Sequence, residues 1–195
     1  KTISQYRKLG IELDIYLPDY NLAIEFNGLY WHSEHNGGKY KTYHLEKTEI
    51  CEQNGIQLLH INSDEYIKNK KLIFSMIKSK IGLNEVIYAR KCYIKEINSK
   101  IEREFLEENH IQGYGKSNFK IGLFYHDKLI SLMTFSTNRK YTGDKSNKTD
   151  SYELVRFACK QGYNIIGGAS RLLKYFEKTY KPEEVISFAD RKWTS

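Results

Sequence analysis

The chain has 195 residues, with 31 Lys+Arg against 24 Asp+Glu and a formal net charge of +7. Hydrophobic residues make up 40% and aromatics 14%, which excludes a disordered chain, and two prolines with no low-complexity tract exclude fibrous and linker-like classes. The length suits one or two domains with a real core, and no window approaches the ~18 consecutive apolar residues of a membrane span.

Ile11–Leu17 alternates and predicts a strand. Pro18-Asp19-Tyr20-Asn21 is a turn, and Leu22–Phe26 a second apolar strand, so the pair reads as a hairpin. Tyr43–Asn54 predicts a helix ended by Gly55. Ile56–Ile61 is a continuous apolar run, the pattern of a buried strand. Leu72, Ile73, Met76, Ile77 and Ile81 follow helical spacing, and Gly82 closes that helix. The order is β-β-α-β-α.

After a boundary expected at Gly82-Leu83-Asn84, Val86–Tyr88 and Cys92–Ile97 read as strands. A helix follows from about Ser99 to Glu108, with Ile101, Phe105 and Leu106 on one face. Phe119–Tyr125 and Leu129–Ser136 form a hairpin around His126-Asp127-Lys128. Asn138–Asp150 is a long polar loop. Tyr152–Ala158 is a strand, Gly167-Gly168-Ala169-Ser170 opens a helix to about Tyr180, and Val185–Phe188 is a last strand. The expected domains are residues 1–83 and 84–195.

The charge is unevenly divided. Residues 1–83 hold 11 Lys+Arg and 10 Asp+Glu, and residues 84–195 hold 20 and 14. The first part carries four of the six histidines, His32, His35, His44 and His60. A basic surplus favours an anionic partner, nucleic acid first, and the plain alternative is a basic domain with no such partner. Cys51, Cys92 and Cys159 are scattered and odd in number, so neither a disulfide framework nor a zinc set is expected. A reducing, cytoplasmic setting fits, and no secretory signal opens the chain. The start at Lys1 rather than Met is expected of a piece of a longer protein.

The hairpin carries the chemistry. Glu25 and Asn27, two apart on a strand, project together, and the turn brings Asp14 back beside them. Converging carboxylates suit a hard divalent cation, Mg²⁺ or Mn²⁺, which can polarise a phosphodiester and activate water. His32 follows closely and has the pKa range of a general acid or base. His44 and Lys47 share a helical face, where they either reach a phosphate or form a solvated surface. His60 lies in the buried strand pattern and reads as a hydrogen-bonded core residue. His35 sits in a Gly-containing loop, and Asp64 and Glu65 read as either supporting or plain surface carboxylates.

Asp14, Glu25 and Asn27 resemble the PD-(D/E)xK nuclease core, with Asn in place of its lysine. The longer string Ile24-Glu25-Phe26-Asn27-Gly28-Leu29-Tyr30-Trp31-His32 resembles the very-short-patch-repair (Vsr-like) endonucleases. With Glu12-Leu13-Asp14, His44-x-x-Lys47-Thr48 and Asp64-Glu65 it is similar to the phage homing endonucleases of that lineage, the EDxHD group. The resemblance covers about residues 1–83 and implies a mixed sheet flanked by helices and a Mg²⁺-dependent DNA endonuclease of a bacterial host's cytoplasm. It makes Asp14 the metal-binding carboxylate and His32 the residue handling water or a phosphate oxygen. Glu25 and Asn27 complete the shell, with His44 beside the metal edge. The repair enzymes' zinc ligands have no cysteine counterparts, so no structural zinc is expected. Tyr30 and Trp31 either wedge into the duplex or pack under the hairpin.

In the second part, Val155-Arg156-Phe157, Gly162–Ile166 and Gly167-Gly168-Ala169-Ser170-Arg171 form a strand, loop and glycine-rich helix start, an anion site by geometry. The pattern is similar to acetyl-CoA-binding GNAT-like domains, and the closing strand of such a fold is expected beyond Ser195. Arg156, Gly168, Ser170 and Arg171 would hold a DNA phosphate, acetyl-CoA, or nothing, Gly168 then being a close-packing residue. Arg90, Lys91, Arg139, Lys140, Arg156 and Arg171, with Lys47, are the candidate contacts to double-stranded DNA, all sequence-independent. The reading is a two-part α/β nuclease with a basic companion domain. Its rivals are an acyltransferase using acetyl-CoA and a non-catalytic DNA-binding protein.

Overall fold

The computed structural model describes residues 1–7, 9–28, 40–137 and 151–188. Among these, the chain is a mixed α/β protein of eleven strands and four helices that divides into two compact units, residues 1–70 and 71–188. No helix is long and apolar enough to cross a membrane among the described residues.

The first unit is built on a four-stranded sheet in the order β1-β2-β3-β4, with β1 Ile3–Tyr6, β2 Leu13–Leu17, β3 Leu22–Asn27 and β4 Gln57–Asn62. β2 and β3 are antiparallel across a 3-10 turn at Pro18–Tyr20, which Asn21 ends in left-handed backbone at φ 47°. β3 and β4 are parallel, and α1, Tyr40–Gln53, lies in the crossover that such a pair requires. Burial follows: Leu22, Ala23, Ile24 and Glu25 are all buried on β3, as are Leu58, Leu59, His60 and Ile61 on β4. The sequence shows β4 clearly for that reason, because a parallel strand covered on both faces reads as an apolar run.

α1 turns Lys47, Thr48 and Cys51 inward, with His44 half-buried one turn earlier on the same stripe. Cys51 joins Leu13, Tyr16, Ala23, Ile56 and Leu58 in one apolar cluster. On the same face of the β3–β4 pair, Ala23 sits opposite Leu58, Glu25 opposite His60 and Asn27 opposite Asn62. That face therefore changes from apolar to polar toward the carboxyl ends of the strands, where open α/β sheets form their sites.

α2, Ser63–Lys80, leaves helical geometry at Asn69 (φ −124°, ψ 29°), beside the division between the units. Gly82, the expected boundary, follows that helix at φ 74° and lies in the second unit. There, β6 Tyr93–Glu96, β7 Phe119–Tyr125, β8 Lys128–Thr137, β9 Ser151–Cys159 and β11 Glu184–Ser187 form a sheet in the order β11-β9-β8-β7-β6. β5, Glu85–Tyr88, pairs in parallel with β10, Tyr163–Ile166. α4, Gly168–Tyr180, lies with β10 in the crossover from β9 to its parallel neighbour β11 and inserts Leu172 and Phe176 into the core, Phe176 stacking on Phe135 at 3.6 Å between ring centroids.

α3, Ser99–Asn109, departs from the expected face. Its buried residues are Glu102, Phe105, Leu106 and Asn109, while Ile101 is 38% exposed. Asn98 caps the helix by accepting from the Ile101 N–H at 2.9 Å, and fully buried Glu102 accepts from Ser117 Oγ at 2.5 Å. Burial raises the Glu102 carboxyl pKa. A hydrogen-bonded partner supplied from a distant loop makes this inward carboxyl tolerable, and nothing local in the sequence signals it.

Candidate functional site

Asp14, Glu25, Asn27, His44, Lys47, Thr48 and His60 all belong to the first unit, on β2, β3, α1 and β4. The β2–β3 ladder runs as far as Ile15 opposite Ile24. Beyond it the Asp14 side chain takes over, Oδ2 accepting from the Phe26 N–H at 2.8 Å. That bond fixes Asp14 between Glu25 and Asn27 along the strand.

Glu25 is 8% exposed and ion-paired through Oε2 with Lys47 Nζ, itself 4% exposed. Its pKa is pushed up to about 7. Burial is the main cause, the nearby Asp14 carboxylate adds to it, and the Lys47 ammonium opposes it. The Asp14 carboxylate is near enough to disfavour ionisation of Glu25. One proton or one cation is what such a pair of carboxyls calls for. Lys47 is thus no solvated helical residue: the inward stripe of α1 carries it under the strand.

A second group lies behind Asn27. Asn27 Nδ2 is 3.4 Å from His60 Nδ1, His60 Nε2 is 2.9 Å from Thr48 Oγ1, and the Thr48 hydroxyl donates to the His44 carbonyl at 2.8 Å. The His44 and His60 rings meet edge to face at 5.4 Å between centroids. His60 is the buried, hydrogen-bonded strand residue that the sequence implies. Thr48 was legible only as the next residue after Lys47; its role depends on β4 coming alongside α1. Asp64 and Glu65 open α2, where carboxylates complement the helix dipole.

Among the described residues, no cluster of three or more His, Cys, Asp or Glu is placed to hold a metal ion. The donor set is instead two converging carboxylates with an amide beside them. It fits Mg²⁺ or Mn²⁺, since Mg²⁺ binds through one or two carboxylates and keeps several waters. Tyr30, Trp31, His32 and His35 lie outside the described residues.

In the second unit, Arg90 and Lys91 are exposed on a 3-10 turn, and the Arg90 guanidinium lies over the Tyr88 ring at 5.1 Å. Arg156 donates to the Gly113 carbonyl at 3.3 Å and to its neighbour Val155 at 2.8 Å, and Arg171 donates to the Ala89 carbonyl at 2.6 Å. Both guanidiniums have structural partners. Gly168 is buried, and a Cβ there would stand 2.9 Å from Ile165 Cγ2, so close packing explains the glycine. The Ser170 hydroxyl donates to the Gly167 carbonyl at 3.2 Å. Arg139, Lys140 and the polar loop around them lie outside the described residues. No protein-family model matches the sequence, and a search of curated proteins finds none that matches it.

Proposed function

We propose that the chain is a divalent-metal-dependent DNA endonuclease of the Vsr-like (EDxHD) branch of the PD-(D/E)xK nucleases, with a GNAT-like companion domain that grips DNA. It would act in the cytoplasm of a bacterial host as a phage homing-type enzyme. The observation that carries this reading is the meeting of Asp14, Glu25 and buried Lys47 at the carboxyl end of the β3–β4 pair.

Asp14 and Glu25 would hold the cation, Mg²⁺ or Mn²⁺. When bound, such an ion supplies Lewis-acid polarisation of the phosphoryl oxygen and lowers the pKa of water. The chain's own residues do the rest. Lys47 opposes the rise that burial imposes on the Glu25 carboxyl and would supply the positive charge that Asn27 lacks at the motif's third position. Asp14, tied to the Phe26 N–H, is held in place before substrate arrives. His32, from the resemblance, would take a proton from the attacking water as its oxygen bonds to phosphorus and the bridging phosphorus–oxygen bond breaks, the leaving oxygen taking a proton from solvent. His44 and Asn27 steady the phosphate. Arg90 and Lys91 are the exposed contacts to the backbone of double-stranded DNA.

The test is plasmid cleavage by the full chain with Mg²⁺ and with EDTA. Cleavage should need the metal and fall at least ~100-fold in Asp14→Ala, a loss of ~2.7 kcal/mol in transition-state stabilisation. Full activity of Asp14→Ala would sink the reading. The acyltransferase alternative is weakened by Gly168 packing on Ile165 and by Arg171 binding Ala89. A coenzyme A titration giving saturable heat would revive it.

A further inference from the structure

We propose that the outward face of the β5–β10 pair is a platform for single-stranded DNA, on which Tyr88 stacks an unpaired base while Arg90 and Lys91 hold the flanking phosphates. The inference rests on the DNA-binding reading above and adds to it a strand form and a face. β5 and β10 run in parallel, with Val86 opposite Asn164, Ile87 opposite Ile165 and Tyr88 opposite Ile166. Alternation sends Ile87 and Ile165 into the core, where both are buried. Val86, Tyr88 and Ile166 take the other face, at 49%, 45% and 46% exposure. Parallel strands with apolar residues on both faces are ordinarily covered on both. Here one face is covered and the other meets solvent. Tyr88 and Ile166 are register partners, and Val86 stands two residues before Tyr88, so the three form one patch rather than scattered surface residues.

The patch is edged by cations. Arg90 and Lys91 follow Tyr88 on the 3-10 turn, both exposed, and among the described residues neither is paired with a carboxylate. The outward residues of the pair include no acid, and Glu85 alternates to the face of Ile87. Arg171 donates to the Ala89 carbonyl at 2.6 Å and so ties down the turn that carries both cations. The Arg90 guanidinium lies over the Tyr88 ring at 5.1 Å, which joins the aromatic and the charge in one unit. A second copy of this face would bring like charges together, whereas a phosphodiester strand supplies the anions. Duplex DNA keeps its base faces inside the stack. A single strand presents base faces beside phosphates, the combination that an aromatic sheet face edged by basic residues recognises.

The experiment titrates the full chain, in EDTA, against fluorescein-labelled oligo-dT and against a strand of equal length and charge made of abasic sites, read by anisotropy. Tyr88→Ala should weaken oligo-dT binding about fivefold or more, and Tyr88→Phe should keep wild-type affinity, because stacking needs the ring and not the hydroxyl. On the abasic strand Tyr88→Ala should change affinity by less than about twofold. Equal losses on the two strands, or no loss on either, overturn the inference. Self-association of wild type that Tyr88→Ala abolishes, with no strand bound, also overturns it and gives the patch to a second copy. In each of these cases Mg²⁺-dependent plasmid cleavage by wild type leaves the nuclease reading standing. A wild type that binds neither single strand nor duplex and cuts nothing overturns both. Should Tyr88→Ala fail to fold, Ile166→Ser carries the same test from the neighbouring strand: it should weaken oligo-dT more than the abasic strand, and equal effects overturn the proposal.

Discussion

Glu25 and Lys47 set opposite demands on the same buried space. Burial holds the Glu25 carboxyl at about 7, above its ordinary 4.5, in spite of the ammonium against it. The folded protein therefore binds this proton more tightly than the unfolded chain. Between pH 4.5 and 7 the unfolded carboxyl is ionised while the folded one stays protonated, so the contribution to stability falls as pH rises. It is fully present below 4.5 and lost above 7. In EDTA, urea unfolding of wild type relative to Glu25→Gln should show that decline, and parallel curves would refute it. Lys47→Met sharpens the sign. At pH 8 it removes the counterion of a buried carboxyl, which must stay ionised and unpaired or take up a proton from solution, at a cost of up to ~3–5 kcal/mol. At pH 5 Glu25 is protonated, the ammonium has no anion to balance, and the cost should nearly vanish.

α1 and α4 show what a helix reveals of itself. α4 reads plainly from its sequence, because Leu172 and Phe176 recur on a stripe that packs into one core. α1 reads as a helix, predicted over Tyr43–Asn54 and found at Tyr40–Gln53, but its buried face does not, because that stripe is His44, Lys47, Thr48 and Cys51, where only the last is apolar. The polarity that hides its amphipathic face is the site itself. The two carboxylates and the amide were legible, since Asp14, Glu25 and Asn27 follow from hairpin geometry alone. The Glu25–Lys47 pair and the Thr48–His60 link were not, since the first needs α1 to pack on β3 and the second needs β4 to come alongside α1. Strands β1 and β10 are not legible in the sequence for a related reason. Each has four residues, and each is fixed by its partner, β2 or β5, rather than by alternation. At this scale Gly168 discriminates between two roles. Gly168→Ala sets a methyl 2.9 Å from Ile165 Cγ2 and should lower stability by ~1–3 kcal/mol, read by chemical denaturation. DNA affinity of the folded variant should be unchanged; weakened affinity with intact stability would make the glycine a phosphate contact.

On the proposed DNA-cleaving function, the charge of the whole chain would have a division of labour. Residues 1–83 hold 11 Lys+Arg and 10 Asp+Glu, and they include the carboxylates that a phosphate must approach. Residues 84–195 hold 20 and 14, a surplus that can offset that repulsion by gripping the backbone at a distance. Not every cation in that surplus is available. Arg156 and Arg171 donate to backbone carbonyls, whereas Arg90 and Lys91 are exposed beside Tyr88. Each phosphate contact releases counterions and adds ~0.9 to the slope of log affinity against log salt. Anisotropy titrations of labelled duplex in EDTA, which prevents cleavage, should therefore show the slope falling by ~1.8 in the Arg90→Gln, Lys91→Gln double variant. Arg171→Gln should leave the slope intact and lower stability instead, because its guanidinium is committed to the Ala89 carbonyl. An unchanged slope in the double variant would move the grip to other residues. A slope lowered by Arg171→Gln would mean that this guanidinium leaves Ala89 for a phosphate when DNA binds.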